Sequence, residues 1–149
     1  MFQSGKPYDA ACPMIIVGIV TYNSASDLPQ CMAGLRAQQA VQMRILAYEN
    51  ASSDGSLDWM REHAPEVSVL VGRENIGYGN AHNRLIQEAA LGPGDCYLAL
   101  NPDAVLAPNY IACLVSETSD KPEIGWAIGK LKLVTEDGAF NGRIYSAGH

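Results

Sequence analysis

Basic residues are scarce in this sequence. Lys and Arg number 10 against 16 Asp and Glu, a formal charge of −6. That balance excludes a sequence-independent grip on nucleic acid, which rests on many phosphate-neutralising cations. An anionic ligand would need local help from backbone amides, a few placed cations or a divalent metal. Long apolar runs are missing too: the longest, Met14 to Val20, is far short of the ~20 residues that cross a bilayer. Cys12, Cys31, Cys96 and Cys113 form no C-x-x-C pair and have no His at zinc-ligand spacing, so no metal or redox thiol motif is present. Cys31 and Cys113 fall on apolar helical faces and read as buried free thiols, in keeping with a reducing, cytoplasmic setting. The leader 1–13 carries one Lys and no apolar stretch, which excludes a secretory signal and leaves an N-terminal arm. No repeat, linker or low-complexity segment interrupts the rest. What remains is 149 residues, 48% apolar, enough for one domain burying roughly 68–70% of its unfolded surface.

The order of elements is α/β. Met14 to Val20 is a β-branched run of the kind that fills a central parallel strand. Leu28, Cys31, Met32 and Leu35 follow at helical spacing, with Ser26 or Asp27 as N-cap and Pro29 in the first turn. A second strand spans about Met43 to Tyr48, and a helix after the turn-rich 49–56 stops at Pro65. The third strand is Val67 to Val71. The helix after Arg73 to Gly79 carries Ala81, Leu85, Ile86 and Ala89, and ends at Gly92-Pro93-Gly94. Strand four is Cys96 to Leu100, and a helix from about Pro108 turns Ile111, Leu114 and Val115 inward. Trp126 to Val134 alternates Lys130 and Lys132 with Leu131 and Leu133, which predicts a half-exposed antiparallel edge strand; Glu136-Asp137-Gly138 reads as a hairpin turn. The expected architecture is a three-layer α/β/α sandwich around a mostly parallel, Rossmann-like sheet.

In such sheets ligands bind beyond the carboxyl ends of the strands. There stand Thr21-Tyr22-Asn23, Glu49-Asn50 with Ser52, Ser53 and Asp54, Arg73 to Gly79, and Asn101-Pro102-Asp103. A ring, carboxylates, a cation and flexible glycines converging on one crevice suit a nucleotide. Two common nucleotide motifs fail on spacing. Gly77-Tyr78-Gly79 begins a G-x-G-x-x-G, but His82 takes the third glycine's place, and the segment follows strand three instead of strand one. Gly125 to Lys130 has three residues between its glycines and Leu131 after the Lys, so it is no Walker A.

The succession Val20-Thr-Tyr-Asn23, Glu49-Asn-Ala-Ser-Ser-Asp-Gly-Ser56, Asn75-Ile-Gly-Tyr-Gly-Asn-Ala-His-Asn83 and Asn101-Pro-Asp-Ala104 resembles the nucleotide-sugar-binding half of glycosyltransferase family 2. The likeness is strongest to its rhamnosyltransferase-like members and runs over about residues 14 to 134. The resemblance implies a GT-A fold over 14–149 and a metal-assisted, inverting transfer from a dTDP- or UDP-linked sugar to an acceptor hydroxyl in polysaccharide biosynthesis. It implies that Thr21, Tyr22 and Asn23 lie against base and ribose, that Glu49 accepts the imide NH of uracil or thymine, and that Arg73 approaches the nucleotide. The loop from Gly77 through Asn83 would shape the pocket. Asn101-Pro102-Asp103 stands where the family has Asp-x-Asp, so Asp103 would hold Mg²⁺ or Mn²⁺ on the diphosphate. The acceptor implied is a saccharide or lipid-linked hydroxyl, with the protein cytoplasmic or peripheral at the inner face of a membrane.

Two departures stand out. The family usually has Asp at the position of Glu49, and the extra methylene is expected to push the carboxylate outward. Inverting members place the catalytic base in a carboxy-terminal half, and nothing after Asp137 is acidic. The base is therefore expected beyond His149, leaving a donor-binding portion without its acceptor half. General-base catalysis contributes about 10²–10⁴-fold, and an uncovered face for the second half predicts self-association.

Plainer readings stand beside these. Tyr22 can also be read as a core-edge ring, Glu49 and Arg73 as a solvated surface pair, Asp54 as a helix cap, His63 as a complement to a helix dipole, and His82 as a packed or pocket-wall residue. At the level of function, the alternative is a non-catalytic nucleotide-binding or interaction module. A sugar nucleotidyltransferase is disfavoured, because no Gly-rich basic loop follows strand one.

Overall fold

The computed structural model describes residues 13–121, 123–129, 131–134 and 140–145. The expected arm up to Cys12, the turn at 136–138 and His149 lie outside them. The chain divides into two compact units, with the boundary after Pro108.

The first unit holds β1 (Met14–Thr21), α1 (Leu28–Arg36), β2 (Gln42–Glu49), α2 (Ser56–His63), β3 (Ser68–Val71), α3 (Tyr78–Ala89) and β4 (Cys96–Leu100). All four strands are parallel, in the order β3-β2-β1-β4. The chain thus steps from β1 outward to β3 and then returns to the other side of β1. Right-handed crossovers put α1 and α2 on one face and α3, on the return step, on the opposite face. The alternation of β1 matches this: Ile16 and Val20 join Leu46, Ala81, Leu85 and Ala89 in the core beneath α3. Ile15, Val17 and Ile19 are buried on the other side of the strand, and the predicted stripe Leu28, Cys31, Met32 and Leu35 of α1 is buried throughout. Asp27 takes the N-cap position of α1, though its side chain makes no capping bond.

Gly18, in the middle of β1, faces the helix α3. A Cβ there would lie 1.8 Å from the Tyr97 hydroxyl, so only glycine leaves room for that ring. Ile86, expected inside, is exposed. The buried stripe of α3 is Ala81, His82, Leu85 and Ala89, and His82 fills the space that the pattern reserved for an aliphatic residue.

The second unit holds α4 (Tyr110–Thr118), β5 (Leu131–Val134) and β6 (Phe140–Tyr145). Ile111 is buried, with Leu114 and Val115 half-buried. Cys113 is exposed, against expectation, because a residue two positions from Ile111 stands on the far side of the helix. Cys96 is exposed as well, and Cys31 alone of the three described thiols is buried. The predicted edge strand shortens to β5, which pairs antiparallel with β6 in a separate two-stranded sheet. Residues 124–129 have no regular structure, and Trp126 is 82% exposed. A period-two pattern specifies a strand with one apolar face, but leaves its partner open.

Candidate functional site

Thr21 pairs with Glu49, and Glu49 with Val71, so β1, β2 and β3 end flush. The reversal of strand order lies between β1 and β4, which places the ligand crevice of an open parallel sheet above these ends. Three loops meet there and are laced together by hydrogen bonds. The Asn50 amide donates to the Thr21 carbonyl at 2.9 Å, and the Gly72 amide to the Glu49 carbonyl at 2.7 Å. Asn50 Oδ1 accepts the Ile76 amide at 2.8 Å. Asn23, in the left-handed region at φ 52°, accepts the Ser53 amide on its Oδ1 at 2.9 Å and donates its own amide to Ser52 Oγ at 3.0 Å.

The Glu49 side chain lies inside this lacing, only 3% exposed. Its Oε1 accepts the Ser52 amide at 2.7 Å and its Oε2 the Ala51 amide at 3.2 Å. The expected outward push does not occur, because the two amides of the following turn draw the longer side chain back. Ala51 adopts φ 61° to present them. A surface pair of Glu49 with Arg73 is excluded by the same burial. Arg73 is exposed, without an ion pair among the described residues.

Thr21 is fully buried and donates its hydroxyl to the Tyr48 carbonyl at 3.4 Å; it supports the loop from below. Tyr22, the next residue, is 52% exposed directly after β1. Asp54 proves structural. Its Oδ1 accepts the Ser56 amide and hydroxyl at 3.0 and 2.6 Å, and its Oδ2 the Ala25 amide at 2.8 Å. Desolvation pushes its carboxyl up, and the bonds from Ser56 and Ala25 outweigh that, leaving it below the usual carboxylate range.

Beyond β4, the Asn101 carbonyl accepts the Ala104 amide at 3.1 Å and the Cys31 thiol at 3.9 Å. Burial, then the charges of Asp103 and Asp27, push that thiol up to about 12, so it stays protonated and inert. Asp103 is exposed. Among the described residues no group of three or more His, Cys, Asp or Glu could cage a metal. An exposed carboxylate fits a hard divalent ion that takes most of its ligands from phosphate and water.

Gly77, at φ 82°, turns the chain into α3, its amide donating to Asn75 Oδ1 at 2.9 Å. Asn83 follows within α3. It lies on the exposed side of α3 with Ile76, Asn80, Arg84 and Gln87, around an open depression of about 440 Å³. Tyr78 and His82, within the segment expected to shape the pocket, meet a third residue, Tyr97, that the sequence left out of the site. Tyr97 Oη lies 2.7 Å from His82 Nδ1, and the His82 ring meets the Tyr78 ring edge to face at 4.3 Å. The helical spacing of Tyr78 and His82 was visible in sequence; their contact with Tyr97 was not.

The model of glycosyl transferase family 2 matches residues 16–138. The chain belongs to glycosyltransferase family 2. A family relative, the N-acetylglucosaminyl-diphospho-decaprenol L-rhamnosyltransferase of Mycobacterium tuberculosis, is 30% identical over 120 residues, covering 75% of this chain and 39% of that protein. The chain thus spans about two fifths of the length of this curated relative. Among solved structures, the mannosyltransferase PcManGT from Pyrobaculum calidifontis, in complex with GDP-Man and Mn²⁺, superposes with a TM-score of 0.66 at 22% identity. That match covers 78% of this chain and 36% of the other. TarS from S. aureus in complex with UDP gives 0.62 at 15% identity, over 72% of this chain and 32% of TarS. These two establish that the family 2 chain shares the fold of GT-A glycosyltransferases. No described helix is long and apolar enough to cross a membrane.

Proposed function

We propose that this chain binds the donor of an inverting glycosyltransferase, a dTDP- or UDP-linked sugar, for transfer to a saccharide or lipid-linked acceptor hydroxyl. One observation carries the reading. Glu49 ends the strand on one side of β1 and Asp103 follows the strand on the other. Two strand spacings, about 10 Å, separate the two strands, a span that a nucleoside diphosphate can bridge with its base at Glu49 and its phosphates at Asp103.

Each Glu49 oxygen accepts one backbone amide and retains a further lone pair. A fixed acceptor of that kind suits the imide NH of uracil or thymine, which cytosine lacks. Tyr22 offers an exposed face for the base, Asn23 and Asn50 hold the loops that carry these groups, and Arg73 is an exposed cation on the rim. Asp103 would hold Mg²⁺ or Mn²⁺. When bound, the ion supplies Lewis-acid stabilisation to the departing diphosphate. The acceptor reading draws support from the relative, whose name gives a diphospho-decaprenol substrate; such an acceptor would bring the chain to the cytoplasmic face of a membrane.

Calorimetric titration of the chain with dTDP, UDP, CDP and GDP in the presence of MnCl₂ tests this. Saturable heat with dTDP or UDP, and at least about tenfold weaker binding of CDP, is expected from one charge-assisted hydrogen bond lost. Heat with none of the four would overturn the reading.

A further inference from the structure

The centre of α3 holds a polar group that packing alone does not call for. His82 is 6% exposed, in a stripe otherwise made of Ala81, Leu85 and Ala89. Its Nδ1 is engaged with the Tyr97 hydroxyl at 2.7 Å, and its Nε2 is buried with no hydrogen-bond partner among the described residues. A leucine would fill this space without stranding a nitrogen. The arrangement also fixes a residue on the adjacent strand, since Gly18 must lack a side chain to admit the Tyr97 hydroxyl.

What the imidazole touches next is Tyr78. The rings meet at 4.3 Å with 71° between their planes, a geometry in which an imidazole N–H can point at an aromatic face. Tyr78 opens α3 directly after Gly77 and is half-exposed at the carboxyl end of the sheet. Burial, and after it the charge of Asp103, hold its phenol above the ordinary range.

We infer that Tyr78 is a donor-site residue whose hydroxyl donates to the terminal phosphate of a nucleoside diphosphate, and that His82, braced by Tyr97, is the residue that positions it. This rests on the nucleotide reading of the crevice given above. The phenol adds a neutral donor where the chain has few cations, beside the carboxylate that would share the phosphate through a metal. His82 does not touch the ligand. It holds the Tyr78 ring at a fixed inclination, so that the hydroxyl is not free to swing into solvent.

The test is a double-substitution cycle read by calorimetry with MnCl₂ and two probes, dTDP and dTMP. Tyr78→Phe keeps the ring and removes only the hydroxyl at an exposed position. It is expected to weaken dTDP about tenfold, as for one hydrogen bond to a charged oxygen, and to leave dTMP within about twofold. His82→Ala is expected to weaken dTDP to a similar degree, and to add nothing in the Tyr78→Phe background, because residues that act through one another are not additive. His82→Asn, which offers Tyr97 a polar partner without the ring, serves if His82→Ala fails to fold, with the same expected loss. Unchanged dTDP affinity in Tyr78→Phe, equal losses for dTDP and dTMP, or multiplicative effects in the double variant would overturn the inference while leaving the nucleotide site standing. Failure of the unsubstituted chain to bind dTDP at all would overturn both together.

Discussion

Glu49 Oε1 accepts the backbone amide of Ser52 at 2.7 Å, and this short bond fixes a buried carboxylate at the end of β2. The loop holds the acid and the acid holds the loop. Glu49→Gln places an amide NH₂ against a backbone donor at one of the two oxygens. The expected result is a loss of about 1–3 kcal/mol in stability, the range for a buried polar group left unsatisfied. Urea denaturation measures that, and dTDP or UDP affinity should fall by at least about tenfold in the same protein. A variant as stable as the parent would show that the two amides do not depend on the carboxylate.

Asp103 is exposed and supports no described hydrogen bond of its own. Asp103→Ala should therefore leave the melting temperature within about 2 °C, as for a surface substitution, while abolishing the Mn²⁺ dependence of dTDP binding. Titrations with and without MnCl₂ decide this. Retained metal dependence would remove Asp103 from the metal site.

Gly18 offers a test of the core under α3. In Gly18→Ala the new methyl would lie 1.8 Å from Tyr97 Oη and 2.4 Å from its Cζ. The expected destabilisation is about 1–3 kcal/mol by overpacking, again read from urea midpoints. Adding Tyr97→Phe should recover only part of it, because the ring carbon still obstructs the methyl. Full recovery would mean that the hydroxyl alone excludes a side chain at residue 18.

Burial holds the His82 imidazole below its ordinary pKa, so the folded state takes up this proton later than the unfolded chain as pH falls. The stability it contributes is complete above the unfolded value of about 6.5. It is lost as pH falls from there toward the folded value. Asp54 and Glu66, whose carboxyls sit below the usual range, act in a separate window, at about pH 4.5 and lower. Melting temperatures between pH 7 and 5 should fall for the unsubstituted chain and fall less for His82→Gln. Equal slopes would dismiss the buried imidazole as the cause.

Much of the frame was legible because its signals are local. The β-branched run of β1 and the spacing of Leu28, Cys31, Met32 and Leu35 each specify an element without reference to the rest of the chain. The motif residues fell at strand ends because loops follow strands. What escaped depends on backbone detail or on distant partners. Ala51 in the left-handed region turns two amides back on Glu49, and no spacing rule announces it. His82 and Tyr97, fifteen positions apart, meet only once β4 lies beside β1. Asn83 belongs to the quoted motif, and only the fold shows it beside Arg84 and Gln87 around one depression. The exposure of Cys113 reflects a helix whose inward face is narrower than its apolar composition.

The most direct test of a donor site at the carboxyl end of the sheet is residue-resolved. Amide ¹H–¹⁵N spectra of the chain, titrated with dTDP and MgCl₂, should show saturable shifts at Tyr22, Asn50 to Ser52, Arg73, Tyr78 and Asp103, with the base of the sheet unmoved. Shifts confined to Arg84 and Gln87 along the outer side of α3, or no shifts at millimolar dTDP, would contradict it.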